Sequence, residues 1–143
     1  MILLDAQALV ALLADEPGAG EVGEILRSSG AAMTSVNVAE AIDISERKLG
    51  IEPQIVDTAI ATLRVAALHV LACGEDDAWR AGELRARRYH HRRSPISIAD
   101  AFLVAAGSAG DAVATADAGV IHVARAEGLD VIPLPDSTGR RPR

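Results

Sequence analysis

The sequence predicts an α/β domain with a central, mostly parallel sheet of four to five short strands flanked by helices. Short aliphatic runs alternate with longer stretches of helical composition along the 143 residues, and this alternation is typical of βαβ units. Half of the residues are hydrophobic but only three are aromatic. Ala, Val, Leu and Ile must therefore build the core, as in helices packed on a β-branched sheet.

Strands are predicted where a short aliphatic run stops at a charged or turn-forming residue. The first run ends at Asp5 and is apolar at successive positions, which favours a strand buried on both faces. The predicted strands cover residues 2–5, 31–34, 68–71, 112–115 and 129–132.

Helices are predicted between the strands, with boundaries set by helix-breaking residues. Pro17 and Pro53 favour the first turn of a helix, whereas Gly50 and Gly128 favour its end. The predicted helices cover residues 7–14, 17–29, 36–49, 53–67, 75–90, 97–108 and 118–127.

One domain is predicted over residues 1–133, followed by a flexible basic tail over residues 134–143 that carries Arg140, Arg141 and Arg143. No apolar run reaches the roughly 18 residues of a membrane span, and the first residues carry no basic n-region of a signal peptide. A lone Cys73 excludes an internal disulfide and is typical of a reducing cytoplasm.

Four carboxylates stand where strands end or where the next helix has just begun: Asp5, Glu40, Asp100 and Asp117. In an open parallel sheet, the carboxyl ends of the strands gather over one crevice, and ligands bind there. We therefore expect the four side chains to meet in one acidic cleft. Asp43 lies three residues after Glu40 and shares its helix face; it is a candidate fifth member, with a surface role the stronger alternative.

Each carboxylate also has a purely local explanation. Asp5 and Asp117 are suited to cap the helices that follow them, and Asp100 forms a variant of the capping box with Ser97. Glu40 is compatible with an ordinary solvated helix position.

An acidic cleft favours a divalent cation, because like charges held close together disfavour ionisation. Mg²⁺ and Mn²⁺ prefer oxygen ligands, and Mg²⁺ typically binds through one or two carboxylates plus phosphate oxygens. Metal-assisted cleavage of a phosphodiester needs these groups and no general-base histidine. Zinc is disfavoured, because the chain has no Cys pair and His90 and His91 are adjacent.

The basic residues are strongly clustered although the net charge is −6. Six of the fourteen Lys and Arg residues fall within residues 80–93, just before the motif that contains Asp100. Cations at a helix C-terminus are favoured by the helix dipole, so a solvated face is one explanation. The alternative is RNA binding, with phosphate contacts from Arg85, Arg88, Arg92 and Arg93 and stacking by Tyr89 or a histidine.

The four acidic motifs, in this order and at these spacings, resemble those of the PIN-domain ribonucleases. They are Asp5 after the first strand, Glu40 in the helix after the second, the segment Ser97 to Ala101 around Asp100, and Thr115-Ala116-Asp117. Length and organisation resemble the VapC toxins of bacterial toxin–antitoxin pairs. The resemblance implies a PIN-like fold and an endoribonuclease that uses Mg²⁺, with Mn²⁺ as a substitute. It also implies that Asp5, Glu40, Asp100 and Asp117 are the catalytic and metal-binding set, and that the chain forms a homodimer and a complex with a VapB-like antitoxin.

One position departs from this pattern. PIN domains usually carry Ser or Thr after the first Asp, whereas this chain has Ala6 followed by Gln7. The missing hydroxyl leaves open a catalytically idle PIN-like module that binds RNA or protein. A metal-dependent phosphatase of another α/β family would place a second Asp at position 7, and Gln7 disfavours it.

Overall fold

The computed structural model describes residues 1–142 and confirms the α/β class; Arg143, the last residue of the predicted tail, lies outside them. A five-stranded sheet forms the centre, and all of its strand pairs are parallel. The strands are β1 (Ile2–Leu4), β2 (Ala31–Thr34), β3 (Leu68–Leu71), β4 (Ala112–Thr115) and β5 (Asp130–Pro133). Each lies within one residue of its predicted bounds.

Within residues 1–142, seven α-helices flank the sheet: α1 (Ala6–Leu13), α2 (Ala19–Ser28), α3 (Ser35–Asp43), α4 (Pro53–Ala66), α5 (Glu75–Arg88), α6 (Ile98–Ala106) and α7 (Ala118–Ala126). The helix predicted over residues 36–49 is one α-helix that continues into a π-helical turn, Ile44–Lys48. The sequence does not predict this π-helical turn, because five residues are too few to show the wider hydrophobic spacing of a π-helix.

In the strand order β3-β2-β1-β4-β5, the chain adds β2 and β3 on one side of β1 and then β4 and β5 on the other side. The topological switch point of the sheet therefore lies between β1 and β4. Such a switch point opens a crevice outside the carboxyl ends of the strands. Asp5 follows β1 and Asp117 follows β4, so the two carboxylates stand on either side of this crevice.

Aliphatic side chains fill both faces of the sheet, because successive residues of a strand point to opposite faces. Leu3 and Val113 belong to the cluster with α5, α6 and α7, whereas Leu4 and Ala114 belong to the cluster with α1 to α4. The core is therefore built as the aromatic-poor composition predicted.

Of the aromatic residues, Phe102 packs partly buried against the first of these clusters. Trp79 is 67% exposed on the outer face of α5. Trp79 is therefore not part of the core.

The predicted domain boundary at residue 133 is followed immediately by core residues. Leu134 is 2% exposed and packs with the α1–α4 side of the core. Further on, Arg141 donates to both carboxylate oxygens of Glu21. Flexibility of the tail stays a prediction. Across residues 1–142, none of the helices is both long and apolar enough to span a membrane.

Candidate metal-binding cleft

All four predicted carboxylates line one open cleft of about 400 Å³ at the carboxyl ends of β1 and β4. The cleft is bounded by the starts of α1, α6 and α7, by the middle of α3 and by the end of α5. Its charged lining residues are Asp5, Glu40, Asp100, Asp117 and Arg85. Residues separated by up to 112 positions in the chain thus share one surface, as the parallel sheet predicted.

Asp5 is the most enclosed of the four. It is 3% exposed; its Oδ1 accepts a hydrogen bond from the backbone N–H of Ala8 at 2.6 Å, and its Oδ2 accepts one from the Thr115 hydroxyl. Burial raises the pKa of Asp5 from 3.8 to about 7, against the lowering effect of both hydrogen bonds, and the charges of Asp100 and Asp117 raise it further. A raised pKa of this kind is typical of a buried carboxyl group that has no positively charged partner.

Thr115 connects two of the carboxylates. Its hydroxyl donates to Asp5 and accepts the backbone N–H of Asp117 at 3.0 Å. Asp117 in turn caps α7, since its Oδ1 accepts the N–H groups of Gly119 at 2.6 Å and Val120 at 3.0 Å. Thr115 therefore orients the Asp5 carboxylate directly and holds the backbone of Asp117 next to it.

Asp100 sits in a complete capping box at the start of α6. Its Oδ2 accepts the Ser97 N–H at 2.7 Å, and its own N–H donates to the Ser97 hydroxyl at 3.0 Å. Burial raises the pKa of Asp100; these hydrogen bonds lower it, the charge of Asp117 raises it and that of Arg85 lowers it. The capping explanation and the cleft explanation are thus both correct, because capping fixes the carboxylates at the cleft.

Glu40 reaches the cleft from α3. Burial is the main cause that raises the pKa of Glu40, and the negative charge of Asp100 raises it further. Asp43 does not line the cleft; its two carboxylate oxygens accept hydrogen bonds from Arg47 at 2.8 and 2.6 Å, which lower its pKa. The surface role is the one that the structure supports for Asp43.

The donor set suits a hard divalent ion, although the side chains are not gathered on one point. Within residues 1–142 no three His, Cys, Asp or Glu side chains are close enough together to hold one ion as they stand. Capping turns one oxygen of Asp100 and one of Asp117 towards backbone N–H groups. Among the described residues, no hydrogen-bond donor contacts Oδ1 of Asp100, Oδ2 of Asp117 or the carboxylate of Glu40. Mg²⁺ keeps several waters and needs only one or two direct carboxylates, so these oxygens fit its requirements.

One arginine enters the cleft lining. Arg85 donates from Nε to the carbonyl of Ile96 at 3.0 Å, and its guanidinium lies 4.5 Å from the centroid of the Tyr89 ring. Tyr89, 46% exposed, also lines the cleft. The sequence could predict both residues from the charge cluster, but not that they stack.

Arg92 and Arg93 lie on an ordered turn beside the cleft, which we call the basic turn (residues 90–94). His90 and Ser94 exchange backbone hydrogen bonds of 3.2 and 3.0 Å, and the His90 Nδ1 accepts the N–H groups of Arg92 and Arg93, each at 3.2 Å. Both arginine residues are exposed, and the turn that carries them leads directly into Pro95 and Ile96, which line the cleft.

Arg88 requires a correction. Its Nε donates to Glu127 at 2.5 Å and its terminal nitrogen donates to the carbonyl of Ala126 at 3.1 Å, so it ties the end of α5 to the end of α7. It does not line the cleft. The sequence placed it with the RNA-contacting arginines because Glu127 is 39 residues away and its pairing is not visible locally.

Comparison with known proteins agrees with this arrangement. The PIN domain family matches residues 2–126; no curated protein matches the sequence. Among solved structures, the chain resembles the VapC20 toxin of Mycobacterium tuberculosis, a sarcin-ricin loop cleaving toxin, at 19% identity and a TM-score of 0.60, covering 74% of this chain and 80% of that one. It resembles DNA-bound VapBC of Salmonella typhimurium at 20% identity and a TM-score of 0.65, covering 92% and 96%.

A third similar structure is VapBC2 of Rickettsia felis bound to a promoter DNA fragment, at 14% identity and a TM-score of 0.64, covering 94% of this chain and 99% of that one. At these identities the likeness establishes the fold, whereas the family match extends over most of the sequence. The strand-end carboxylates, the five-stranded parallel sheet and the family match agree: the chain belongs to the PIN domain family.

Proposed function

We propose that the chain is a Mg²⁺- or Mn²⁺-dependent endoribonuclease, the toxin of a toxin–antitoxin pair, which hydrolyses a phosphodiester bond in a structured RNA such as a transfer RNA or ribosomal RNA loop. The observation that carries the proposal is the convergence of Asp5, Glu40, Asp100 and Asp117 on one cleft. Membership of a nuclease family and the fold shared with RNA-cleaving VapC20 support it.

The carboxylates would hold the ion between them, with Asp5 and Asp117 kept in register by Thr115. A divalent ion in such a site lowers the pKa of a bound water and offsets charge on a phosphate. Asp5 is buried, and electrostatic interactions of a buried carboxylate with an ion are stronger than those of a solvated one.

The RNA backbone would be held on the arginine side of the cleft. Arg85 lines it, and Arg92 and Arg93 extend from the adjacent basic turn. Tyr89 is exposed beside Arg85, where an unpaired base can stack on its ring. We leave Arg88 out of this set because Glu127 and Ala126 hold its guanidinium.

For partners, we propose a VapB-like antitoxin and a homodimer, in the cytoplasm. The VapBC complexes of similar fold support the antitoxin. An apolar groove on α5 around Trp79, Gly82 and Ala86 supplies a surface for a protein partner, and aromatic anchors of this kind are enriched at interfaces.

The second candidate is a catalytically idle PIN-like module that binds RNA or protein. Ala6, in place of the usual hydroxyl residue, and the absence among residues 1–142 of three ligands gathered on one point favour it.

Cleavage of total cellular RNA separates the two candidates. The purified protein is incubated with Mg²⁺, Mn²⁺ or chelator, as wild type and as Asp5→Asn, Asp100→Asn and, for a matched control outside the cleft, Asp43→Asn. The nuclease predicts discrete, metal-dependent fragments that persist in Asp43→Asn. The cleavage activity of both cleft variants should fall by more than roughly 100-fold, the upper end of the loss that follows removal of an outer-shell partner of a metal ligand. Binding without cleavage in the wild type would support the idle module instead.

A further inference from the structure

A second recess, which we call the side recess, opens next to the carboxylate cleft and has a volume of about 180 Å³. It lies between α1, the turn before α2 and the segment that follows β5. The residues that matter for its chemistry are Gln7, Ala11, Glu16, Pro135 and Ser137. No local sequence pattern indicates this recess, because three segments that are distant in the chain form its walls.

The side recess adjoins the cleft, because Gln7 and Asp117 line both of them. If an RNA phosphate lies over the carboxylates, the base of a neighbouring nucleotide is therefore the candidate occupant of the side recess.

The floor of the side recess is apolar and tightly built. Ala11 and Leu134 are 6% and 2% exposed, Pro135 is buried, and a Cβ added at Gly18 would come within 3.3 Å of the Pro135 carbonyl oxygen. The volume is below the roughly 300–1,000 Å³ of sites for drug-sized ligands. It suits a single planar ring system rather than a whole nucleotide.

Three polar side chains on the walls of the side recess have no partner within residues 1–142. Among residues 1–142 no hydrogen bond or ion pair engages the side chains of Gln7, Glu16 or Ser137. Asp136, by contrast, is occupied by Thr138 and Arg140. An ionised carboxylate only accepts hydrogen bonds, whereas an amide both donates and accepts.

The charge of the side recess disfavours direct binding of a phosphate. Glu16, Asp117 and Asp136 line it, and no Lys, Arg or His of the described chain does. The arginine side of the cleft and the acidic side recess therefore offer an RNA strand two different surfaces, one for its backbone and one for a base.

We infer that the side recess binds one nucleobase next to the scissile phosphate, and that Glu16 selects a base with an exocyclic amino group over uracil. The apolar floor packs against the ring, the Glu16 carboxylate accepts from the amino group, and the Gln7 amide pairs with a neighbouring edge atom. This inference rests on the proposed nuclease function and adds a specificity residue to it.

The test is cleavage of a pool of RNA hairpin oligonucleotides with randomised loops in the presence of Mn²⁺, with the cut ends mapped by sequencing. Two oligonucleotides that differ only by cytosine or uracil at the flanking position then give the rate ratio. We expect the wild type to prefer the amino-bearing base by roughly tenfold, as one well-placed hydrogen-bonding pair supplies. Glu16→Gln should reduce the ratio to below about twofold.

Glu24→Gln is the matched control, because it makes the same chemical change on α2 at an exposed ion pair with Arg27. It should retain the wild-type preference. Two results would overturn the inference: wild-type cleavage with no base preference at the flanking nucleotides, or a preference that Glu16→Gln leaves unchanged. Either result would leave the proposed nuclease function intact. Absence of any wild-type cleavage would refute the proposed function and this inference with it.

Discussion

Replacing Asp5 by Asn should remove a pH-dependent loss of stability from the metal-free protein. The pKa of the buried Asp5 carboxyl is raised from 3.8 to about 7. Below about pH 4 the folded and unfolded chains both carry the proton, so the group makes no contribution. Between pH 4 and 7 the folded chain retains a proton that the unfolded chain has lost, so stability falls as the pH rises.

The size of the effect follows from the two pKa values. At 1.36 kcal/mol per pH unit, the difference between 3.8 and about 7 corresponds to about 4 kcal/mol of lost stability above pH 7. That is a large part of the roughly 5–15 kcal/mol that stabilises a typical domain. The side chain of Asn has nearly the same shape and keeps an acceptor for the N–H of Ala8, but it does not titrate.

The assay is urea unfolding of metal-free wild type, Asp5→Asn and Asp43→Asn between pH 4 and 8. We expect the stability of Asp5→Asn relative to wild type to rise by about 4 kcal/mol over this range. Asp43→Asn should not gain stability with rising pH, because the pKa of Asp43 is lowered. Saturating Mg²⁺ should shrink the difference, since it favours the ionised carboxylate. A difference between wild type and Asp5→Asn that does not change with pH would refute the reasoning.

Three further perturbations have defined outcomes. Thr115→Val removes the hydroxyl between the two carboxylates and should weaken Mn²⁺ binding by roughly 10–100-fold in calorimetry, whereas Thr115→Ser should restore it; equal affinities would exclude the positioning role. Charge reversal at Arg92 and Arg93 should weaken RNA binding and flatten its salt dependence by about one slope unit per phosphate contact, while reversal of the exposed Arg125 should not; binding unchanged at every salt concentration would exclude the basic turn. Arg88→Ala should lower the melting temperature, because it breaks the link between α5 and α7, and leave the salt dependence of RNA binding unchanged; a flatter salt dependence would return this residue to the RNA-binding set.

The fold was largely predictable because its signals are local. Short aliphatic strands alternate with helices, Pro53 and Gly128 stand at helix boundaries, and few aromatics require a sheet-centred aliphatic core. The four carboxylates were predictable as a group because parallel strand ends meet at one edge of a sheet.

The rest depends on contacts between distant residues. The pairing of Arg88 with Glu127, the π-helical turn after α3 and the exposure of Trp79 leave no mark on neighbouring positions. The same holds for Glu16, which the fold places in the wall of the side recess. In the sequence, helix capping and a place in the cleft are alternative explanations for these carboxylates. In the structure, Asp5, Asp100 and Asp117 cap helices and also line the cleft.

Titration of the protein with Mn²⁺ by calorimetry, in buffers of different ionisation enthalpy, tests most directly whether the cleft carboxylates form a metal site. We expect Mn²⁺ binding by wild type and Asp43→Asn, with proton release near neutral pH because the pKa of Asp5 is about 7. Binding by Asp5→Asn and Asp100→Asn should be strongly weakened. No binding by the wild type, or equal affinity in all four proteins, would show that the cleft carboxylates do not form a metal site.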